Sequence, residues 1–359
     1  MKSAKIPPPT LGDLPAVSSE KKGWPWTQQD SQYSPTMFDD SFWPRISVVT
    51  PSYNQAQFLE ETIRSVLLQN YPNLEYIIID GGSTDGSVDI IRKYEKWLTY
   101  WVSEPDQGQA HAINKGFARC TGELIGWLNS DDFLLPGAFA CLAKGHAENP
   151  KAILLGDVLH FVDSGSHARI SRPKNVTFQN MVNVWKLYTS AASWSQQGTY
   201  VPRGLYQQVG GVDETLRYVF DYDWMCRMLQ VTSVQYLHAT IAGYRKHDTS
   251  KTVAETPAWL PEVTKVVQRY QNGAGYGFDK TLVQAGLEMY GAYIFLSITG
   301  HWNRQKGLMH LRRAFQKNWR VFLSRESLQL CLRAVIPLAL LRLIKSRKTG
   351  LYNWRRVNV

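Results

Sequence analysis

Cysteine is scarce in this chain of 359 residues. The four present, Cys120, Cys141, Cys226 and Cys331, stand far apart with no Cys-x-x-Cys pair, which marks them as reduced core residues of a cytosolic protein. A continuous apolar stretch is missing from Met1 to Glu20, where prolines interrupt the sequence, so no secretory signal is expected there and the protein is placed in the cytoplasm. Long apolar runs are missing as well. Leu328 to Ile344 is broken by Arg333, Pro337 and Arg342, whereas a spanning helix needs about 20 predominantly apolar residues, so a transmembrane anchor is rejected. There is no internal repeat and no long low-complexity tract.

Acidic residues are nearly absent from one region only. From His301 to Val359 there are 14 Lys and Arg against the single acid Glu326, a net +13, while the rest of the chain holds 26 basic and 29 acidic residues, a net −3. A basic tail beside a near-neutral body points to an anionic partner for the tail alone, a membrane surface or a nucleic acid. Lys345, Arg347, Lys348, Arg355 and Arg356 follow the broken apolar run, accompanied by Tyr352 and Trp354. That combination favours peripheral attachment to an anionic surface at the cytoplasmic membrane face. The aromatics Trp302, Trp319, Tyr352 and Trp354 keep a nucleic-acid partner open, but nothing else supports one.

What is present is enough for a sizeable core: 44% of residues are hydrophobic and 12% aromatic. Residues 1–44 lack period and read as an extended arm carrying Trp24, Trp26 and Trp43. Strand-like runs at Arg45 to Thr50, Leu74 to Ile79, Thr99 to Ser103 and Leu124 to Leu128 alternate with helical patterns at Gln55 to Gln69, Ser87 to Trp97 and Gln109 to Arg119. Such alternation predicts an α/β fold with a largely parallel sheet flanked by helices, and ligands of such sheets sit beyond the carboxyl ends of the strands. A helix to about His146, strands near Ile153 to Asp157 and Gln197 to Val201, a helix over Tyr222 to Leu229 and a strand over Val234 to Tyr244 follow, with irregular sequence before Ser195. Beyond about residue 253 only helices are expected, at Pro261 to Gln271, Lys280 to Leu296, Gln305 to Phe322 and Ser327 to Lys345. The domains are thus 1–44, 45–252 and 253–359.

Polar clusters terminate all four early strands. The most pointed is Asn129-Ser130-Asp131-Asp132, directly after the buried run Leu124 to Leu128. Two adjacent carboxylates in an apolar setting raise each other's pKa, so the pair suits a hard cation or a ribose hydroxyl. Taken alone it also suits a solvated turn opening a helix near Pro136.

Eight pieces occur in an order that resembles the inverting, nucleotide-sugar-dependent glycosyltransferases of family 2, with the GT-A fold. They are Thr50-Pro51-Ser52-Tyr53-Asn54, the Asp80 to Ser87 loop, Ser103 to Gln109, Asn114-Lys115-Gly116, Gly122 to Asp132, Gly210 to Asp213, Asp221-Tyr222-Asp223 and Tyr244 to His247. The resemblance implies a GT-A domain with a C-terminal helical extension. It implies that Asp80 hydrogen-bonds the nucleotide base, expected to be a uracil, with Pro51, Ser52, Tyr53 and Asn54 closing over it, and that Gly82, Ser83, Glu104, Asp106, Asn129 and Asp131 line the donor site. The Asn129 to Asp132 segment looks like the family's Asp-x-Asp signature, which holds Mg²⁺ or Mn²⁺ on the donor diphosphate; Asn129 replaces its first Asp, so metal binding falls to Asp131 and Asp132, with the direct ligand open between the two. Asp221 matches the catalytic base that takes the acceptor hydroxyl's proton, and His247 the late histidine that approaches the metal. Each residue also has a plainer reading: Asp80 as a helix cap, Asp106 as a turn residue, Asp223 as a helix-start charge, His247 as a surface histidine. Gln197 and Trp194 stand where the acceptor side begins.

The implied partners are a nucleotide-sugar donor and a saccharide or lipid-linked acceptor in cell-surface polysaccharide or glycan synthesis. No Gln-x-x-Arg-Trp segment occurs, which argues against a processive synthase. A sugar nucleotidyltransferase is the alternative enzyme, but Thr50 to Gln57 has neither the glycine nor the lysine of its phosphate loop.

Overall fold

The computed structural model of the chain describes residues 7–37, 40–162, 168–247, 258–271, 277–297 and 302–336. The chain packs as two compact units, Met1–Pro173 with Ser195–His247, and Lys174–Trp194 with Asp248–Val359. Of the two residues expected where the acceptor side begins, Trp194 falls in the second unit and Gln197 in the first. The loop after His247 and the tail 337–359 lie outside the described residues.

The first unit begins with β1 (Ile46–Ser52), α1 (Ala56–Leu67), β2 (Leu74–Asp80), α2 (Ser87–Tyr94), β3 (Tyr100–Ser103), α3 (Gln109–Phe117) and β4 (Leu124–Trp127). β1 and β4 are buried at every position, as strands covered on both faces must be, and that is why they read as unbroken apolar runs. The strand order 3-2-1-4 is wholly parallel. Register pairs Ser52 with Asp80, and Asp80 with Ser103, so the polar strand ends fall on one line. Helix α3 comes very close to β1: a Cβ on Gly116 would stand 2.3 Å from Val49 Cγ1.

Past β4 come β5 (Phe133–Leu134), α4 (Ala138–Glu148), β6 (Ile153–Val162), β7 (Arg169–Ser171), β8 (Thr199–Pro202), α5 (Arg203–Val209), α6 (Phe220–Met228) and β9 (Val234–Lys246). They extend the sheet to the order β3-β2-β1-β4-β8-β6-β9-β5, with β7 on β6. This second half is mixed: β8 runs antiparallel to both β4 and β6, and β6 runs parallel to β9. β5 and β7 span two and three residues, too short to show a period, and the sequence does not announce them.

The N-terminal arm lies on this unit without regular structure. Arg64 is buried in α1, and its guanidinium donates to the carbonyls of Pro15 and Pro25 at 3.1 and 3.2 Å. Trp24 Nε1 donates to Leu134 O at 2.7 Å, and Tyr33, Trp43 and Tyr71 pack edge to face. A buried charge needs such partners, and here the arm's backbone supplies them.

The second unit contains α7 (Trp259–Gln271), α8 (Lys280–Ser297), α9 (Arg304–Lys317), a 3₁₀ turn at Trp319–Leu323 and α10 (Arg325–Val335). The single helix expected over Gln305 to Phe322 is divided at Asn318, whose side chain accepts from Arg320 N–H and caps a new turn. Ser324 caps α10 in the same way through Ser327 N–H. All four cysteines are free, and no described helix is long and apolar enough to cross a membrane.

The tight contact of α3 with β1 yields the first prediction. Gly116→Ala forces a methyl group into Val49, and overpacking of this kind costs about 1–3 kcal/mol. Urea unfolding should show a lower midpoint; an unchanged midpoint would contradict the close approach.

Candidate functional site

The ends of β1 and β2 form one stitched corner. Asp80 is fully buried, and its Oδ2 accepts from Ser83 N (2.8 Å), Gly82 N (3.1 Å) and Ser103 Oγ (2.7 Å). Among the described residues its Oδ1 accepts only from Ser83 Oγ, at 2.6 Å, which leaves that oxygen a lone pair. The chain turns at Gly82 with φ 82° and at Asn54 with φ 51°, a conformation that glycine and asparagine tolerate best. Asn54 N donates to Ser83 Oγ, and Thr84 N to Asn54 Oδ1. Asp85 joins the helix starts by accepting from Ala56 N and from Ser87 N and Oγ. Pro51 and Ser52 are buried and Tyr53 is 62% exposed, so the corner has a fixed floor and an open aromatic rim. The Ser52 hydroxyl is buried with no hydrogen-bond partner among the described residues, which is costly unless a ligand or water satisfies it.

The end of β4 forms the second cluster, where the two adjacent aspartates turn in opposite ways. Asp132, only 1% exposed, points inward: Oδ1 accepts from Arg245 N at 3.0 Å, and Oδ2 from Asn129 Nδ2 at 3.1 Å and Gln197 Nε2 at 3.2 Å. Burial, and then the neighbouring Asp131 charge, raise its carboxyl well above the usual range. Asp131 instead meets His247, Oδ2 to Nε2 at 3.1 Å. The His247 ring lies 4.7 Å from that of Phe58. Arg245 holds the two layers together, with Nε on Asp131 O (3.1 Å), a terminal nitrogen on Glu61 (2.6 Å) and its plane between Phe58 and Phe161. Asn129 Oδ1 accepts from Gln109 Nε2.

Asp221 opens α6. Its carboxyl accepts from Tyr222 N at 2.7 Å, and burial pushes its pKa up to about 6. The preceding Phe220 lies against Trp127 in β4, ring centroids 6.3 Å apart, which ties this helix start to the strand that leads into Asn129. Asp223 is fully buried and paired with Arg227, whose guanidinium also donates to Val209 O and Gly211 O; its work is to fold the Gly210 to Asp213 turn onto the helix. Asn114 grips the same turn through Val212 and Glu214. Asp106 accepts from Gly108 N at 2.7 Å and shapes the loop after β3, and Glu104 pairs with Lys115. The structure thus brings Asp131, Asp132, Asn129 and His247 into one network and Asp80, Ser83 and Asn54 into another, and the hydrogen bond described for Asp221, from Tyr222 N, belongs to neither.

Comparison with known proteins bears on the family and the fold. Residues 47–196 match the glycosyl transferase family 2 domain. Over those residues the chain is similar to that family. Among curated relatives, an uncharacterized glycosyltransferase of Rickettsia typhi is 28% identical over 220 residues, covering 60% of this chain and 68% of that protein. A putative teichuronic acid biosynthesis glycosyltransferase of Bacillus subtilis, TuaG, is 44% identical over 92 residues, 25% of this chain and 36% of the relative. The crystal structure of S. aureus TarS 1–349 in complex with UDP-GlcNAc superposes with a TM-score of 0.56 at 18% identity, over 77% of this chain and 82% of that one. That likeness is one of fold, and the fold is GT-A.

Two residues central to these clusters escaped sequence reasoning. Arg245 stood inside the quoted Tyr244 to His247 piece, but a basic residue next to a histidine reads as a solvated loop. Glu61 sits on an amphipathic helix where charge is expected. Among the described residues no three His, Cys, Asp or Glu side chains gather as a metal-binding group; Asp131 and His247 form a pair, and Asp132 faces away from it.

The opposite orientation of the two aspartates predicts opposite phenotypes. Asp132→Ala strands three buried donors, each costing about 1–3 kcal/mol, and should lower the melting temperature by several degrees. Asp131→Ala removes a partly exposed contact and should leave it nearly unchanged. Equal melting temperatures for the two variants would contradict the orientation.

Proposed function

We propose that the chain is a metal-dependent inverting glycosyltransferase that moves a sugar from a nucleoside diphosphate sugar, a UDP-sugar, to a hydroxyl of a saccharide or lipid-linked acceptor in cell-surface polysaccharide synthesis. The observation that carries this reading is the convergence of the Asp80 corner and the Asp131–His247 pair at the carboxyl ends of neighbouring parallel strands. At the corner, Asp80 Oδ1 keeps an acceptor position for a uracil N–H, and Ser52 Oγ waits for a partner. Tyr53, on the exposed rim, is suited to cover the base.

Asp131 and His247 fit a divalent cation, Mg²⁺ or Mn²⁺: an anionic oxygen and an imidazole nitrogen already face each other, with diphosphate and water oxygens to complete the shell. When bound, such a cation neutralises charge on the leaving diphosphate. Asp132 acts differently from its neighbour, fixing Asn129, Gln197 and the Arg245 backbone in place. Asp221 is the general base. Its desolvated carboxyl, with a pKa of about 6, is ionised at neutral pH yet basic enough to take the acceptor proton as the hydroxyl attacks. Glu104 and Asp106 shape the donor-side loop. The acceptor class is supported by the relative named for teichuronic acid biosynthesis. The basic tail, residues 327–359, would hold the enzyme at the cytoplasmic membrane face.

Asp221→Asn should lower kcat by roughly 10²- to 10⁴-fold with donor affinity retained. For the native enzyme kcat/KM should rise with pH and level off above a midpoint near 6. The sign follows from the raised pKa: the protonated form, inactive as a base, persists up to that pH, and the stability its burial favours is lost as the pH climbs through it. A variant with near-normal kcat, or a flat profile from pH 5 to 7, would remove Asp221 from the role.

A further inference from the structure

The second unit exposes large apolar side chains in one stretch. Of the twelve such residues exposed in the described chain, eight fall between Leu308 and Val335, a concentration that scattered surface leucines do not produce. Their spacing shows a face. Helix α10 buries Ser327, Leu330 and Ala334 and turns Leu328, Leu332 and Val335 outward at i, i+4 and i+7, with Arg325 on the same flank. Helix α9 buries Gly307, Leu311 and Ala314 and turns out Leu308 and Phe315 with Arg312 between them. The 3₁₀ turn joining the helices adds Trp319 and Leu323, 57% and 69% exposed, and Phe315 packs on Phe322 across that junction.

Charge decides the occupant. Residues 304–335 hold eight Lys and Arg against Glu326 alone, a net +7. Two copies of this surface would set like charges against each other, and residues 337–359, with six basic residues and no acid, carry the same sign. An anionic lipid surface complements both properties at once, taking the apolar side chains at the acyl boundary and the basic ones at the headgroups.

We propose that the outward flanks of α9 and α10, with the turn between them, form the membrane-docking face of the chain, with anionic phospholipid as its partner. This deepens the membrane reading given above and rests on it; the face takes in the start of the tail, Leu328, Leu332 and Val335, but needs no residue beyond 336. The aromatic Trp319 is placed for the interface, where an amphipathic ring is best accommodated.

Flotation of the intact chain with vesicles of phosphatidylcholine, with and without phosphatidylglycerol, tests the face. Expected is binding that requires the anionic lipid, weakens with salt, and falls about tenfold or more both in Phe315→Ser/Trp319→Ser/Leu323→Ser and in Arg312→Glu/Arg325→Glu, while a chain ending at residue 336 still binds. All these substitutions are at exposed positions, and an unchanged melting temperature and donor affinity verify folding. Binding that survives both face variants but is lost on truncation would overturn the face and leave membrane attachment to the tail. No binding to anionic vesicles at low salt would overturn both. A self-association that the apolar variant abolishes, without vesicle binding, would assign the face to a second copy instead.

Discussion

The buried carboxylate of Asp132 is the constraint on which the site depends. It joins three segments that are far apart in sequence: the end of β4 through Asn129, the 3₁₀ turn before β8 through Gln197, and the last strand through Arg245 N. The parallel half of the sheet and the mixed half therefore share one acceptor group. A carboxylate so deeply enclosed is tolerable because it receives three hydrogen bonds, and its raised pKa reports the remaining cost of burial. Because Asp132 is committed inward, the next residue back is free to face His247. One aspartate holds the architecture, and the other pairs with His247.

Arg245 carries that order outward. Its backbone satisfies Asp132, while its side chain reaches Asp131 O and Glu61 between two aromatic rings. A planar guanidinium can fill such a slot and donate along its edge, which an ammonium cannot do. The positions of Asp131 and His247 are consequently set by a buried frame rather than by the loop that follows. A similar economy governs the corner at the ends of β1 and β2, where Asp80 fixes the turn with one oxygen and keeps acceptor capacity on the other.

The parallel half of the fold was legible because its strands are buried on both faces and its helices are amphipathic, so each element leaves a period in the sequence. The clusters at the strand ends were legible as places of chemistry. What could not be read was direction: Asp131 and Asp132 are identical in type and adjacent, and only the backbone decides which one turns inward. Arg245, Glu61 and Gln197 act through partners 65 to 184 residues away, a separation that local pattern does not encode. The break at Asn318 was missed because an asparagine inside a helical pattern is common and its capping role depends on where its side chain folds. The segment 174–194 was assigned by neighbourhood in sequence, whereas its contacts belong to the helical unit.

The central claim is that the strand-end clusters hold a nucleoside diphosphate sugar together with a divalent cation. Calorimetric titration of the intact chain with a panel of UDP-, GDP- and dTDP-sugars, in Mn²⁺, in Mg²⁺ and in EDTA, addresses it most directly. The account predicts saturable one-to-one binding of a UDP-sugar that weakens about tenfold or more on chelation and on Asp131→Ala. Binding of no nucleotide sugar, or equal affinity with and without the cation, would contradict it.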